Sequence, residues 1–182
     1  MLQHRMNDNF KLDYCDSFLT TNESYELFNE LISLLPISKT RSTWLFGENI
    51  NYVVETKNYK MERKPEPWLP CLLPIKTKLE KFIFTQYDTK INFNVCVIQQ
   101  YPNGQSGIQK HRDKEMSNMI CGISIGQRRT LSMYQYNKLL LNQPLNNGSL
   151  YILLEPTNNF YSHAINKDDS IGVRFSLTFR FL

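Results

Sequence analysis

The sequence predicts an α+β domain in which N-terminal helices pack on one sheet of an antiparallel jelly roll or sandwich. Three observations carry this. Apolar residues recur at helical spacing in two separate stretches of the first half. The period then shifts from about 3.6 residues to about 2 near Ile91. From there, short strand-like runs follow one another to the end of the chain.

The first helix is announced by Thr20 and Glu23, which have capping-box spacing. Leu27, Phe28, Leu31, Ile32 and Leu35 then share one helical face until Pro36 stops the run. A second helix is predicted after Pro70, with Leu72, Ile75, Leu79, Phe82 and Ile83 as its buried stripe. Residues 37–70 between them read as an irregular segment holding Arg41, Trp44, Phe46, Tyr52, Tyr59 and Trp68 among polar residues and prolines. Ile91, Phe93, Val95 and Val97 alternate with Asn92, Asn94 and Cys96, which marks a strand, and Pro102-Asn103-Gly104 turns it. Further strands are predicted at 120–125, 130–136, 149–154 and 173–182.

Composition bounds the function. The 182 residues suit a single domain spanning 1–182. Hydrophobic residues at 41% and charged residues at 21% are ordinary globular usage and exclude a disordered chain. Lys and Arg number 21 against 17 Asp and Glu, a net charge of +4. That balance permits a polyanionic partner and excludes a histone-like or strongly acidic protein. Cys15, Cys71, Cys96 and Cys121 form no C-x-x-C pair, so neither a structural zinc site nor a disulfide scaffold is expected. The opening residues lack a signal-peptide run, and no stretch approaches the ~20 apolar residues that cross a bilayer. The expectation is a soluble, intracellular protein with reduced thiols and no membrane association.

The histidines are His4, His111 and His163. In an extended stretch, positions i and i+2 share a side, so His111 and Asp113 can offer a nitrogen and a carboxylate to one ion. With His163 they make two histidines and one carboxylate, the ligand set of non-heme Fe(II) oxygenases. Imidazole equally suits zinc, copper and nickel, and the same residues also read as a surface pair plus an unrelated loop histidine. The last predicted strand puts Val173, Phe175, Leu177, Phe179 and Phe181 on one face and Arg174, Ser176, Thr178 and Arg180 on the other. Such a strand is either half exposed with solvated arginines or turned into a concave interior, where its guanidinium forks match a dicarboxylate.

The ordered set His111-x-Asp113, His163 and Arg174-x-Ser176-x-Thr178-x-Arg180 resembles the AlkB family of Fe(II)/2-oxoglutarate dioxygenases. The resemblance runs through Val97–Tyr101, Gly104, Gly148-Ser149-Leu150 and Pro156-Thr157-Asn158, and covers roughly residues 40–182. Pro67-Trp68-Leu69-Pro70 is similar to an element of the animal-type DNA-repair members. It implies that the fold is a double-stranded β-helix, with 91–182 as its core and 37–70 as a nucleotide-recognition lid. It implies that His111, Asp113 and His163 bind Fe(II), that Arg174 pairs with the distal carboxylate of 2-oxoglutarate, and that Arg180 sits at the other end beside Asp113. Tyr101 and Thr178 complete that pocket, with Gln99 and Ser176 standing where the family has asparagines. The same resemblance implies that Tyr52, Trp68, Arg112 and Glu115 face the substrate, with Val54 where the similar homologues have a stacking Phe and Lys114 where several members have an acidic residue.

The activity implied is oxidative demethylation of 1-methyladenine- or 3-methylcytosine-type bases in DNA or RNA, using Fe(II), O2 and 2-oxoglutarate, with no obligate protein partner. The alternatives are a 2-oxoglutarate-dependent hydroxylase or demethylase of a protein side chain, and a jelly roll that binds nucleic acid without turnover.

Overall fold

The computed structural model describes residues 1–7, 9–56, 59–113 and 118–182. The chain begins with β1 (Leu2–Asn7), β2 (Phe10–Cys15), α1 (Thr21–Leu34), β3 (Ser42–Gly47), β4 (Tyr52–Thr56), β5 (Tyr59–Arg63) and β6 (Glu66–Pro67). It continues with α2 (Leu72–Tyr87), β7 (Val95–Tyr101), β8 (Ile108–His111), β9 (Met119–Gly126) and β10 (Arg129–Gln135). The last elements are β11 (Lys138–Leu145), β12 (Ser149–Leu154), α3 (Thr157–Phe160), β13 (Tyr161–Ile165) and β14 (Arg174–Arg180).

Thr20 and Glu23 cap α1 as their spacing predicts. The Glu23 amide donates to the Thr20 hydroxyl at 3.2 Å, and the Thr20 amide donates to the Glu23 carboxylate at 2.7 Å. Two orphan amides of the first turn are thereby satisfied. Leu27 and Leu31 of α1, with Leu72, Ile75, Leu79 and Ile83 of α2, are buried against the large sheet.

That sheet has eight strands in the order β1-β2-β12-β9-β14-β7-β3-β6, and a second sheet runs β11-β10-β13-β8. Strand alternation sorts two cores. Cys96 and Ile98, Cys121 and Ile123, Leu150 and Ile152, and Phe175, Leu177 and Phe179 face the helices. Leu12, Tyr101, Ile120, Tyr151 and Leu153 face the second sheet, where Leu131, Met133, Tyr161 and Ile165 meet them. The arginines of β14 lie on this inner side, buried rather than solvated.

Several elements differ from their sequence expectation. The strand read from Ile91 begins at Val95, because the Phe93 amide donates to the Glu80 carboxylate and leaves no ladder there. Within 37–70 the segment is not irregular: β3 pairs with β7 inside the large sheet, while β4 and β5 form a separate two-stranded hairpin. The large sheet thus reaches beyond 91–182, recruiting β1, β2, β3 and β6. His163 is not a loop residue but sits on its own strand, β13. β11 was not expected, since Pro144 interrupts its pattern; as an edge strand it tolerates the missing donor.

Thr20→Ala is expected to lower unfolding free energy by about 1 kcal/mol, the usual worth of an N-cap. Chemical denaturation should show the midpoint falling with an unchanged slope.

Candidate metal and cosubstrate site

The register of the small sheet sets His111 of β8 directly opposite His163 of β13. Their ring centroids are 4.4 Å apart. His111 Nε2 stands 3.7 Å from Asp113 Oδ1, and His163 Nε2 stands 3.8 Å from Asp113 Oδ2. One ligand atom from each residue lies within 4.8 Å of the others, so a single ion can be reached by all three. The Nδ1 of His111 bonds the Gln109 carbonyl at 2.8 Å, which makes it the protonated nitrogen and leaves the Nε2 lone pair facing Asp113.

The protonation states suit a metal. Burial pushes the His163 imidazole down to about 4, against the pull of Asp113, so it is neutral at pH 7. Burial alone would raise the Asp113 carboxyl. Arg180, His163 and His111 together outweigh that and hold it below the usual carboxylate range. Arg180 Nη2 reaches Asp113 Oδ1 at 3.1 Å, and Arg180 Nη1 donates to the Tyr52 hydroxyl at 3.1 Å.

A narrow cavity extends from this cluster along the inner face of β14. Gln99, Tyr101, Arg174, Ser176, Thr178 and Arg180 all line it, because register pairs Arg174 with Tyr101, Ser176 with Gln99 and Thr178 with Val97. At the far end Arg174 is 1% exposed, and its Nε donates to the Ser124 hydroxyl at 2.8 Å. Among the described residues its Nη1 has no hydrogen-bond partner. A buried guanidinium with an unused donor aimed into a cavity fits a ligand carboxylate. The donor set therefore fits both an iron ion and a dicarboxylate.

Gly122, on β9 opposite Thr178, keeps this cavity open in a way the sequence did not flag. A Cβ there would lie 2.1 Å from the Tyr151 ring, which also lines the cavity. Asn158, the last residue of the Pro156-Thr157-Asn158 motif, holds Asp113 in place. Its side-chain amide accepts from the Asp113 amide at 2.9 Å and donates to the Asp113 carbonyl at 2.8 Å. The α3 turn thus fixes the backbone of the carboxylate ligand.

The residues expected at the substrate end do not all gather. Tyr52, the first residue of β4, is buried, its hydroxyl accepting from Arg180. Trp68 is a correction: it stacks on Phe179, centroids 6.3 Å apart and planes 15° apart, on the helix side of the large sheet. Phe179 belongs to the apolar face of β14, so a ring packed on it is turned away from the cavity. Arg112 is exposed and donates to the Asn159 carbonyl at 2.7 Å. The Val54 side chain, Lys114 and Glu115 lie outside the described residues.

Asn158→Ala should loosen Asp113 without opening the core. The expected loss of divalent metal affinity is about 10- to 100-fold, as for other groups that orient a ligand, read by calorimetry beside an unchanged circular dichroism spectrum.

No helix among the described residues is long and apolar enough to cross a membrane. The family model of the 2OG-Fe(II) oxygenase superfamily matches residues 11–180. The chain is 27% identical over 124 residues to the uncharacterized protein R406 of Acanthamoeba polyphaga mimivirus, covering 64% of this chain and 61% of that protein. It is also 27% identical over 131 residues to the DNA oxidative demethylase ALKBH2 of Bos taurus, covering 64% of this chain and 45% of the relative. The human ALKBH2 gives 27% over 130 residues and 48% of its length, so the chain spans about half the length of these demethylases. The solved structure of OsALKBH1 superposes with a TM-score of 0.66 at 11% identity, covering 99% of this chain and 100% of that one. That likeness establishes the jelly-roll fold. The His111–Asp113–His163 cluster, the arginine-lined cavity and the match over nearly the whole chain agree: this protein belongs to the 2OG-Fe(II) oxygenase superfamily, with AlkB homologues among its relatives.

Proposed function

We propose that the protein is an oxidative demethylase of N-alkylated bases, of the 1-methyladenine and 3-methylcytosine type, in DNA or RNA. The superfamily uses Fe(II), 2-oxoglutarate and O2. One observation carries the nucleic-acid part. An open groove lies beside the metal cluster, lined by Lys110, His111, Arg112, Tyr136, Asn137 and Ser162. Lys110 and Arg112 supply cations for phosphate, and the exposed Tyr136 supplies a ring for a base. His111 belongs to both groove and cavity, so a strand lying along the groove can deliver a flipped base to the cluster. The name DNA oxidative demethylase, borne by the ALKBH2 relatives, supports the same reading.

In this reading His111, Asp113 and His163 would hold the iron. An iron ion held there would supply the coupling of 2-oxoglutarate oxidation by O2 to hydroxylation of the N-methyl group, whose carbon would leave as formaldehyde. The chain's own residues prepare that chemistry. Arg180 keeps Asp113 anionic and limits its rotation, while Tyr52 steadies Arg180. Arg174 takes the distal carboxylate of the cosubstrate in a dry site, where a charge-assisted fork is strong. Tyr101 donates to Gln99 Oε1 at 2.8 Å, so the longer side chain at this position still orders the cavity wall. Ser176 and Thr178 line the path between the two arginines. The β4–β5 hairpin, joined to the site through Tyr52, serves as the lid over a single 1–182 domain.

Incubation with methylated oligonucleotides and 2-oxoglutarate should yield formaldehyde and succinate. His111→Ala, Asp113→Ala and His163→Ala should each abolish both products. Lys110→Ala and Arg112→Ala should weaken binding to all sequences alike and reduce the salt slope by about 1 each. Salt-insensitive binding with no formaldehyde from any strand form would move the substrate to a protein side chain.

A further inference from the structure

Arg129, the first residue of β10, is 2% exposed and was not singled out by any motif. Its guanidinium gathers two loops. Nη1 donates to the Asn103 carbonyl at 3.2 Å, and Nη2 donates to the carbonyls of Gly104, Ser106 and Asn166 at 3.3, 3.0 and 2.6 Å. Nε forms an ion pair with Asp168 at 2.8 Å. Residues 102–107 join β7 to β8, and residues 166–173 join β13 to β14. The strands so fastened carry Tyr101, His111, His163 and Arg174.

The two loops also touch directly. The Gly104 amide donates to the Ser170 carbonyl at 2.6 Å, and the Asp168 amide donates to the Gly104 carbonyl at 2.9 Å. A Cβ on Gly104 would lie 2.2 Å from the Asp168 carbonyl oxygen, so the approach requires glycine. Beneath this clasp the Arg129 guanidinium stands 5.7 Å from the Tyr101 ring centroid, and that of Arg174 stands 5.0 Å from it. One buried ring therefore interacts with two cations and is tethered by its hydroxyl to Gln99.

We propose that Arg129 is a positioning residue that sets the length of the cosubstrate pocket. It seats Tyr101 against Arg174 and closes the far end, so the span from Arg174 to the metal cluster suits 2-oxoglutarate and not its longer homologue 2-oxoadipate. The inference rests on the assignment of Arg174 to the cosubstrate carboxylate. Arg129 reaches no ligand itself; it acts through Tyr101 and the loop clasp.

The test is anaerobic calorimetry of the Fe(II)-loaded protein with each diacid, which reads binding without turnover. The wild type should prefer 2-oxoglutarate by about tenfold or more, within what one methylene allows. Arg129→Met should narrow that preference to about threefold or less. Asp168→Asn, changed at a part-exposed side chain, should narrow it by a smaller factor and stands in if Arg129→Met does not fold. A preference unchanged in a folded variant, with only its melting temperature lowered, would reduce Arg129 to a structural role and overturn the proposal. Arg174→Ala should lose both diacids. If it binds them as the wild type does, the Arg174 assignment itself fails.

Discussion

Two guanidiniums buried between the sheets constrain everything else in this fold. Arg174 and Arg180 sit on the same face of β14, 1% and 5% exposed, where an apolar side chain would ordinarily pack. Removing such charges from water costs several kcal/mol each unless partners are supplied. Arg180 has Asp113 and Tyr52; Arg174 has Ser124 and the Tyr101 ring. The inner faces of the neighbouring strands are polar or small where these heads lie, at Gln99, Gly122 and Ser124, as is Ser176 between the two arginines on β14, and apolar beyond them. The cavity is therefore a consequence of where charge was placed, and the sheets cannot collapse onto it.

Charge placement also organises the metal cluster. Asp113 remains ionised in a largely enclosed position because Arg180 faces it, and its backbone is held by Asn158. His163 is neutral because it is buried. An anionic carboxylate beside a neutral imidazole is the form that binds a divalent cation. Outside the cavity, Lys110 and Arg112 lie beside the same cluster on an exposed groove, so cationic groups flank both the cosubstrate side and the outer side of the site.

Much of this was legible in the sequence, for physical reasons that differ by element. Helix α1 was readable because cap, periodicity and stop signal all agree, and β14 because its alternation is unbroken over its length. The metal cluster was readable because its ligands are few and chemically distinctive. The strands of 1–15 and 42–47 were not, being short and dependent on pairing with β12 and β7 far along the chain. Trp68 was misplaced because a motif does not say which face of a sheet a ring will cover. Arg129 was invisible, since its partners are mainly backbone carbonyls that leave no side-chain signature in the sequence.

The central claim is that Arg174 is buried for a ligand and not for the fold. Arg174→Met tests it, because the side chain keeps its bulk and loses its charge. Unfolding should be followed by denaturant with and without 2-oxoglutarate. The account predicts a variant at least as stable as the wild type without cosubstrate, since an apolar replacement of a buried charge is often neutral or stabilising. It also predicts that 2-oxoglutarate no longer raises the midpoint. A loss of about 3 kcal/mol or more in the free protein, with cosubstrate stabilisation intact, would contradict it.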